Sequence, residues 1–151
     1  MREILLVRFG EVFLKGQNRP FFMKKQMDLI RQAVRPVNGR VWMSEGRFYV
    51  SDFTDMDECI RRVTRVFGVH SVSPAIEMDK DNFEAICEQA ARMMEPLSRT
   101  FKVLARRSDK RYPLDSPAIM REAGGYILDH VPQLTVDVNH PDHTMMIEIR
   151  D

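Results

Sequence analysis

Between Phe101 and Glu122 a strand pattern gives way to a helix start across one short loop, and this junction constrains the rest of the chain. Phe101, Val103 and Ala105 alternate with Lys102 and Arg106, the two-residue period of a half-buried strand. Ser116-Pro117 follows. A small hydroxyl residue at the N-cap with proline at the first helical position marks a helix start. Arg106, Arg107, Lys110, Arg111 and Tyr112 lie around the loop between them. Backbone N–H groups at a helix start have no intrahelical partner and attract anions. Four cations beside such a start predict a phosphate site, and the tyrosine predicts a face for a base.

The first half reads as strand, helix, strand, strand, helix, strand. Ile4 to Val7 is a short apolar run. Met23, Met27, Ile30 and Val34 recur at helical spacing, with Asn18 as N-cap, Pro20 in the first turn and Pro36 as the stop. Ser44-Glu45-Gly46 joins strands at Arg40–Met43 and Arg47–Val50. Thr54-x-x-Asp57 opens a second helix with Met56, Ile60, Val63 and Phe67 on its buried side, and Gly68 ends it. Val69 to Met78 reads as an edge strand, because Pro74 cannot donate to a ladder. The order is that of a ferredoxin-like βαββαβ domain over residues 1–78.

Residues 79–151 form the expected second domain. Phe83, Ile86, Cys87, Ala90 and Met94 mark a helix with Asp81, Glu84 and Glu88 on its wet side. Pro117 to Val131 marks another, with Gly124-Gly125 implying a close backbone approach, since glycine costs a helix about 1 kcal/mol relative to alanine. Leu134–Val138 and Thr144–Arg150 are strands. His140 and His143 lie in a turn between them, where no partner completes a metal set. The expected class is α+β: the ferredoxin-like domain followed by a second α/β domain.

Composition limits the partners. At 44% hydrophobic and 30% charged residues the 151-residue chain can bury a core. No apolar run is long enough to span a membrane and Met1-Arg2-Glu3 starts no signal peptide, so a cytoplasmic protein without membrane partners is expected. Cys59 and Cys87 form no CxxC pair and read as buried thiols. Residues 1–78 carry 13 Lys+Arg against 9 Asp+Glu, and residues 79–151 carry 10 against 13. The second half is thus acidic overall, yet its cations are clustered, and clustering governs nucleic-acid binding.

Phe101-x-Val-x-Ala-Arg-Arg-x-Asp-Lys-x-Tyr-Pro-x-x-Ser116, with Arg121-Glu122-x-Gly124, Val136-Asp137-Val138, Pro141-Asp142 and Ile147-Glu148-Ile149-Arg150, resembles a THUMP domain. Leu6-Val-Arg-x-Gly-Glu-x-x-Leu-Lys-Gly-x-Asn-Arg-x-x-Phe22 resembles the opening of the tRNA sulfurtransferases that make 4-thiouridine. Their N-terminal ferredoxin-like domain precedes a THUMP domain, so the resemblance covers the whole chain. It implies a tRNA-binding region without catalysis that holds the acceptor stem and CCA end. The family's catalytic domain, with its Ser-Gly-Gly-x-Asp-Ser loop and sulfur-handling cysteine, has no counterpart in these residues. ATP, magnesium and a cysteine desulfurase partner are expected only with that domain, and no cofactor with this chain. The THUMP domain is expected to be incomplete at its C-terminal end.

The expected RNA contacts are Arg106, Arg107, Lys110, Arg111, Tyr112 and Arg121, with a second surface at Lys15, Asn18, Arg19, Lys24 and Lys25. Two other function classes are open. Arg8, Asn18 and Arg19 suggest an acylphosphatase-like hydrolase on a ferredoxin-like fold, although the glycine-rich loop does not match. The Met-rich first helix suggests a protein-interaction module.

Overall fold

A computed structural model describes residues 1–10, 16 and 19–151. The chain divides into two compact units, Met1–Met78 and Asp79–Asp151.

The first unit runs β1 (Arg2–Phe9), α1 (Arg19–Val34), β2 (Arg40–Ser44), β3 (Arg47–Ser51), α2 (Met56–Thr64) and β4 (Val69–Glu77). Its antiparallel sheet has the order β2-β3-β1-β4. β4 is therefore an edge, and Pro74, opposite Leu5, takes the place where a missing N–H is tolerated. Alternation along the strands sends Leu5, Val7, Phe9, Val41, Phe48 and Val50 to one face, where Met23, Ile30, Val34, Cys59 and Val63 from the helices cover them. Phe9 meets Phe48 edge to face, with ring centroids 5.1 Å apart.

The second unit runs α3 (Phe83–Met94), β5 (Arg99–Arg107), α4 (Ser116–His130), β6 (Leu134–Val136) and β7 (His143–Ile149). β5 is central and parallel to both neighbours. Phe101, Val103, Ile119, Ala123, Ile127 and Met94 are buried. Thr100 and Asp142 tie the start of β5 to the segment before β7: Asp142 Oδ2 accepts from the Thr100 amide and hydroxyl at 3.2 and 2.8 Å.

Four local expectations change. The N-cap of α2 is Asp55, whose carboxylate accepts from the Glu58 amide at 3.1 Å, rather than Thr54. The N-cap of α4 is Asp115, accepting from Ala118 at 2.9 Å, rather than Ser116. Phe67 is 74% exposed, because α2 ends at Thr64 and the helical phase does not reach it. The close backbone approach expected at Gly124-Gly125 is absent. A Cβ on Gly124 would meet Val103 at an ordinary 3.9 Å, and one on Gly125 would meet nothing within 4 Å. The expected helix cap Asn18 lies outside the described residues.

Two glycines therefore respond oppositely to alanine. A Cβ on Gly39 would stand 2.7 Å from Val34 Cβ and 3.0 Å from Val50 Cγ1, both in the core. Gly39→Ala should destabilise the chain by about 1–3 kcal/mol through overpacking, whereas Gly125→Ala should stabilise it by about 0.5–1 kcal/mol through helix propensity. Denaturant midpoints of the two variants should move in opposite directions.

Candidate nucleic-acid interface

The second unit builds its basic surface from the end of β5, residues 108–115 and the first turns of α4. Asp109 is the centre of this segment. Its side chain is 8% exposed, and Oδ2 accepts from Lys80 Nζ at 2.8 Å. Oδ1 accepts from the Arg111 amide at 3.0 Å and from Arg111 Nε at 3.3 Å. The Lys80 bond, followed by the Arg111 amide, holds the Asp109 carboxyl down at about 2. Lys80 Nζ also donates to the Arg150 carbonyl at 2.8 Å. One ammonium thereby joins the loop to the chain beyond β7. The Ser108 amide donates to Ile149 O at 2.9 Å, a second tie to the same strand.

These ties sort the candidate residues. Tyr112 is buried, and its hydroxyl donates to the Lys80 carbonyl at 2.8 Å. Burial raises its pKa. The expected base-stacking role of Tyr112 is therefore corrected: its ring packs inside the unit and pins the loop. Arg106 and Arg107 are successive strand residues and leave β5 on opposite faces. Arg106 is exposed, whereas Arg107 is half-buried and donates from Nη1 to Tyr112 O at 3.0 Å and Lys110 O at 3.4 Å. The two arginines are thus not one paired contact, and Arg107 braces the loop from within. Lys110, Arg111 and Arg121 are exposed, with the Arg111 side chain 86% exposed beside Asp109.

The helix start is also corrected as an anion site. The Asp115 carboxylate caps it, so an incoming phosphate would meet a negative group there. The positive surface that remains is Arg106, Lys110, Arg111 and, on α4, Arg121.

The second group of candidates lies in the first unit. Arg19, Lys24 and Lys25 are exposed on α1. Arg19 reaches the β2–β3 turn, where a Cβ on Gly46 would stand 3.2 Å from its Nη2. Asp28 on the same helix pairs with Arg31 at 3.8 Å. Lys15 and Asn18 lie outside the described residues. Arg8, part of the hydrolase alternative, donates across the sheet to Ser73 Oγ at 2.6 Å. Burial pushes both cysteine thiols up to about 11, so neither is poised as a nucleophile.

Residues 4–73 match the family described as the ThiI ferredoxin-like domain, and residues 80–151 match the THUMP domain. Over its full length the chain is 42% identical to a probable tRNA sulfurtransferase of Acetivibrio thermocellus. These are the two N-terminal domains of the tRNA sulfurtransferase family. A probable tRNA sulfurtransferase of Macrococcus caseolyticus is 40% identical over 97% of the chain. The chain spans 41% and 38% of the lengths of these two relatives.

Among solved structures, a Pyrococcus horikoshii protein superposes over 99% of the chain and 51% of its own, with a TM-score of 0.83 and 33% identity. A 4-thiouridine synthetase solved as an RNA complex with bound ATP superposes with a TM-score of 0.79 and 28% identity, over 99% of this chain and 39% of its own. No described helix is long and apolar enough to cross a membrane.

Among the described residues, the one buried carboxylate is Asp109, and sequence reading passed over its burial. Its signal was an acidic residue set among four cations. A folded pKa below the ordinary 3.8 means that Asp109 stabilises the folded chain fully above about pH 4 and loses that contribution as pH falls toward 2. Asp109→Asn should be less stable than the parent chain at pH 6. The gap between their denaturant midpoints should close between pH 4 and pH 2.

Proposed function

We propose that this region binds the acceptor end of tRNA, including its unpaired CCA tail, and presents it to a catalytic part of a tRNA sulfurtransferase. The observation that carries this reading is the loop of exposed cations, Arg106, Lys110 and Arg111, on a backbone locked by Asp109, Lys80 and Tyr112. Neutralising phosphates releases condensed counterions, which drives association. A loop already ordered before binding loses little entropy when RNA arrives. The THUMP match and the RNA-complexed structural neighbour support RNA as the ligand.

In this reading Arg121 adds a phosphate contact, and Lys15, Asn18, Arg19, Lys24 and Lys25 form the second surface. Recognition follows RNA shape and 2′-OH groups more than base identity. These 151 residues bind without catalysing and hold no cofactor. Thiolation, with ATP and magnesium, takes place on the catalytic part in the cytoplasm, with sulfur delivered by a cysteine desulfurase.

The test is fluorescence anisotropy with a labelled acceptor minihelix carrying its CCA tail, against a blunt duplex, at two salt concentrations. The chain should prefer the tailed RNA, and its binding should weaken with salt. Arg106→Ala with Lys110→Ala should weaken binding several-fold and lower the salt slope by roughly 0.7–0.9 for each phosphate that is no longer neutralised. Unchanged affinity and slope in a folded variant would remove this loop from the interface.

A further inference from the structure

The helix-free face of the first unit's sheet has no place in the function described so far. Alternation puts Arg2, Ile4, Leu6 and Arg8 of β1 on that face, with Arg47 and Tyr49 of β3, and Arg40 and Trp42 of β2. Ile4, Leu6, Tyr49, Trp42 and Ala75 form a separate apolar cluster to which no helical residue contributes. Trp42 and Tyr49, direct cross-strand partners, stack with centroids 5.3 Å apart and planes at 16°. The Arg2 guanidinium lies 4.8 Å from the Trp42 ring centre, and the Arg47 guanidinium 5.7 Å from that of Tyr49.

The charge on this face is one-sided. Among the described strand residues, four arginines share it with one carboxylate, Glu77, which pairs with Arg2 at 2.7 Å; Glu45 stands in the β2–β3 turn and Asp52 just past the end of β3. The Arg2 side chain is still 46% exposed, Arg40 is exposed and Trp42 is half-exposed. A protein partner would be served by the apolar cluster alone. Flat π surfaces interleaved with cations instead fit a ligand that alternates planar rings with negative charges.

We propose that this sheet face binds unpaired RNA, with a base stacking at the exposed Arg2–Trp42 end of the Arg2–Trp42–Tyr49–Arg47 column, backed by the buried Tyr49, and the backbone phosphates meeting Arg40 and Arg8. Duplex RNA does not fit, because its bases are already stacked on one another; only splayed nucleotides offer their faces. The inference rests on RNA being the ligand of the chain. It adds a site on the other unit, remote in sequence from the β5–α4 loop.

Trp42 is the only tryptophan in the chain, so its fluorescence reports this face directly. A short oligoadenylate should quench that emission saturably, and added salt should reverse the quenching. Inorganic polyphosphate of matching charge should quench little, since it carries no bases. In anisotropy with labelled oligoadenylate, Trp42→Leu should bind about tenfold more weakly than the parent chain. Arg40→Ala, at an exposed position that leaves the cluster intact, should bind several-fold more weakly. Unchanged Trp42 emission in the presence of bound acceptor RNA would overturn this site while leaving the loop interface standing. Parent-like binding by both variants would overturn it too. Failure of any RNA to bind would overturn both.

Discussion

The Lys80 ammonium sits between the Asp109 carboxylate and the Arg150 carbonyl, at 2.8 Å from each. Three stretches far apart in sequence meet at this point: the start of the second unit, the loop after β5 and the end of β7. The carboxylate is nearly sealed from water, so its charge is balanced inside the structure by Lys80 and the Arg111 amide. Truncating Lys80 would strip the buried Asp109 carboxylate of its balancing cation, which is why the pair is a structural commitment rather than a surface ornament.

This constraint explains how a chain that is acidic over its second half can offer a positive surface. Holding Asp109 inward turns the Lys110 and Arg111 side chains outward on a fixed backbone. The same arrangement takes Tyr112 and Arg107 out of the surface, one into the core and the other against loop carbonyls. The loop is a frame of inward residues carrying a fringe of outward cations.

The order of elements was legible because apolar periodicity and proline or glycine stops agreed along most of the chain. The ends of helices were less so. Asp115 and Ser116 are both competent N-caps, and proline is accepted at either of the first two helical positions, so local sequence does not choose between them. Phe67 kept the spacing of α2 but lay three residues past its end. The fate of Tyr112 depended on Lys80, 32 residues earlier, and no local pattern encodes such a contact. Arg106 and Arg107 are adjacent cations at the point where strand pattern gives way to loop; β5 includes both, and alternation separates them. The Trp42–Tyr49 stack was hidden for a different reason. Each residue is an ordinary strand aromatic, and only the register of β2 on β3 makes them neighbours.

Whether the pinned β5–α4 loop faces RNA is tested most directly by chemical-shift mapping of the isotope-labelled chain with a CCA-tailed acceptor minihelix. The largest amide changes within Asp79–Asp151 should fall at Arg106 and from Lys110 to Arg111, with Arg121 following. Saturation of the chain with RNA while those amides stay in place would contradict an RNA-facing loop.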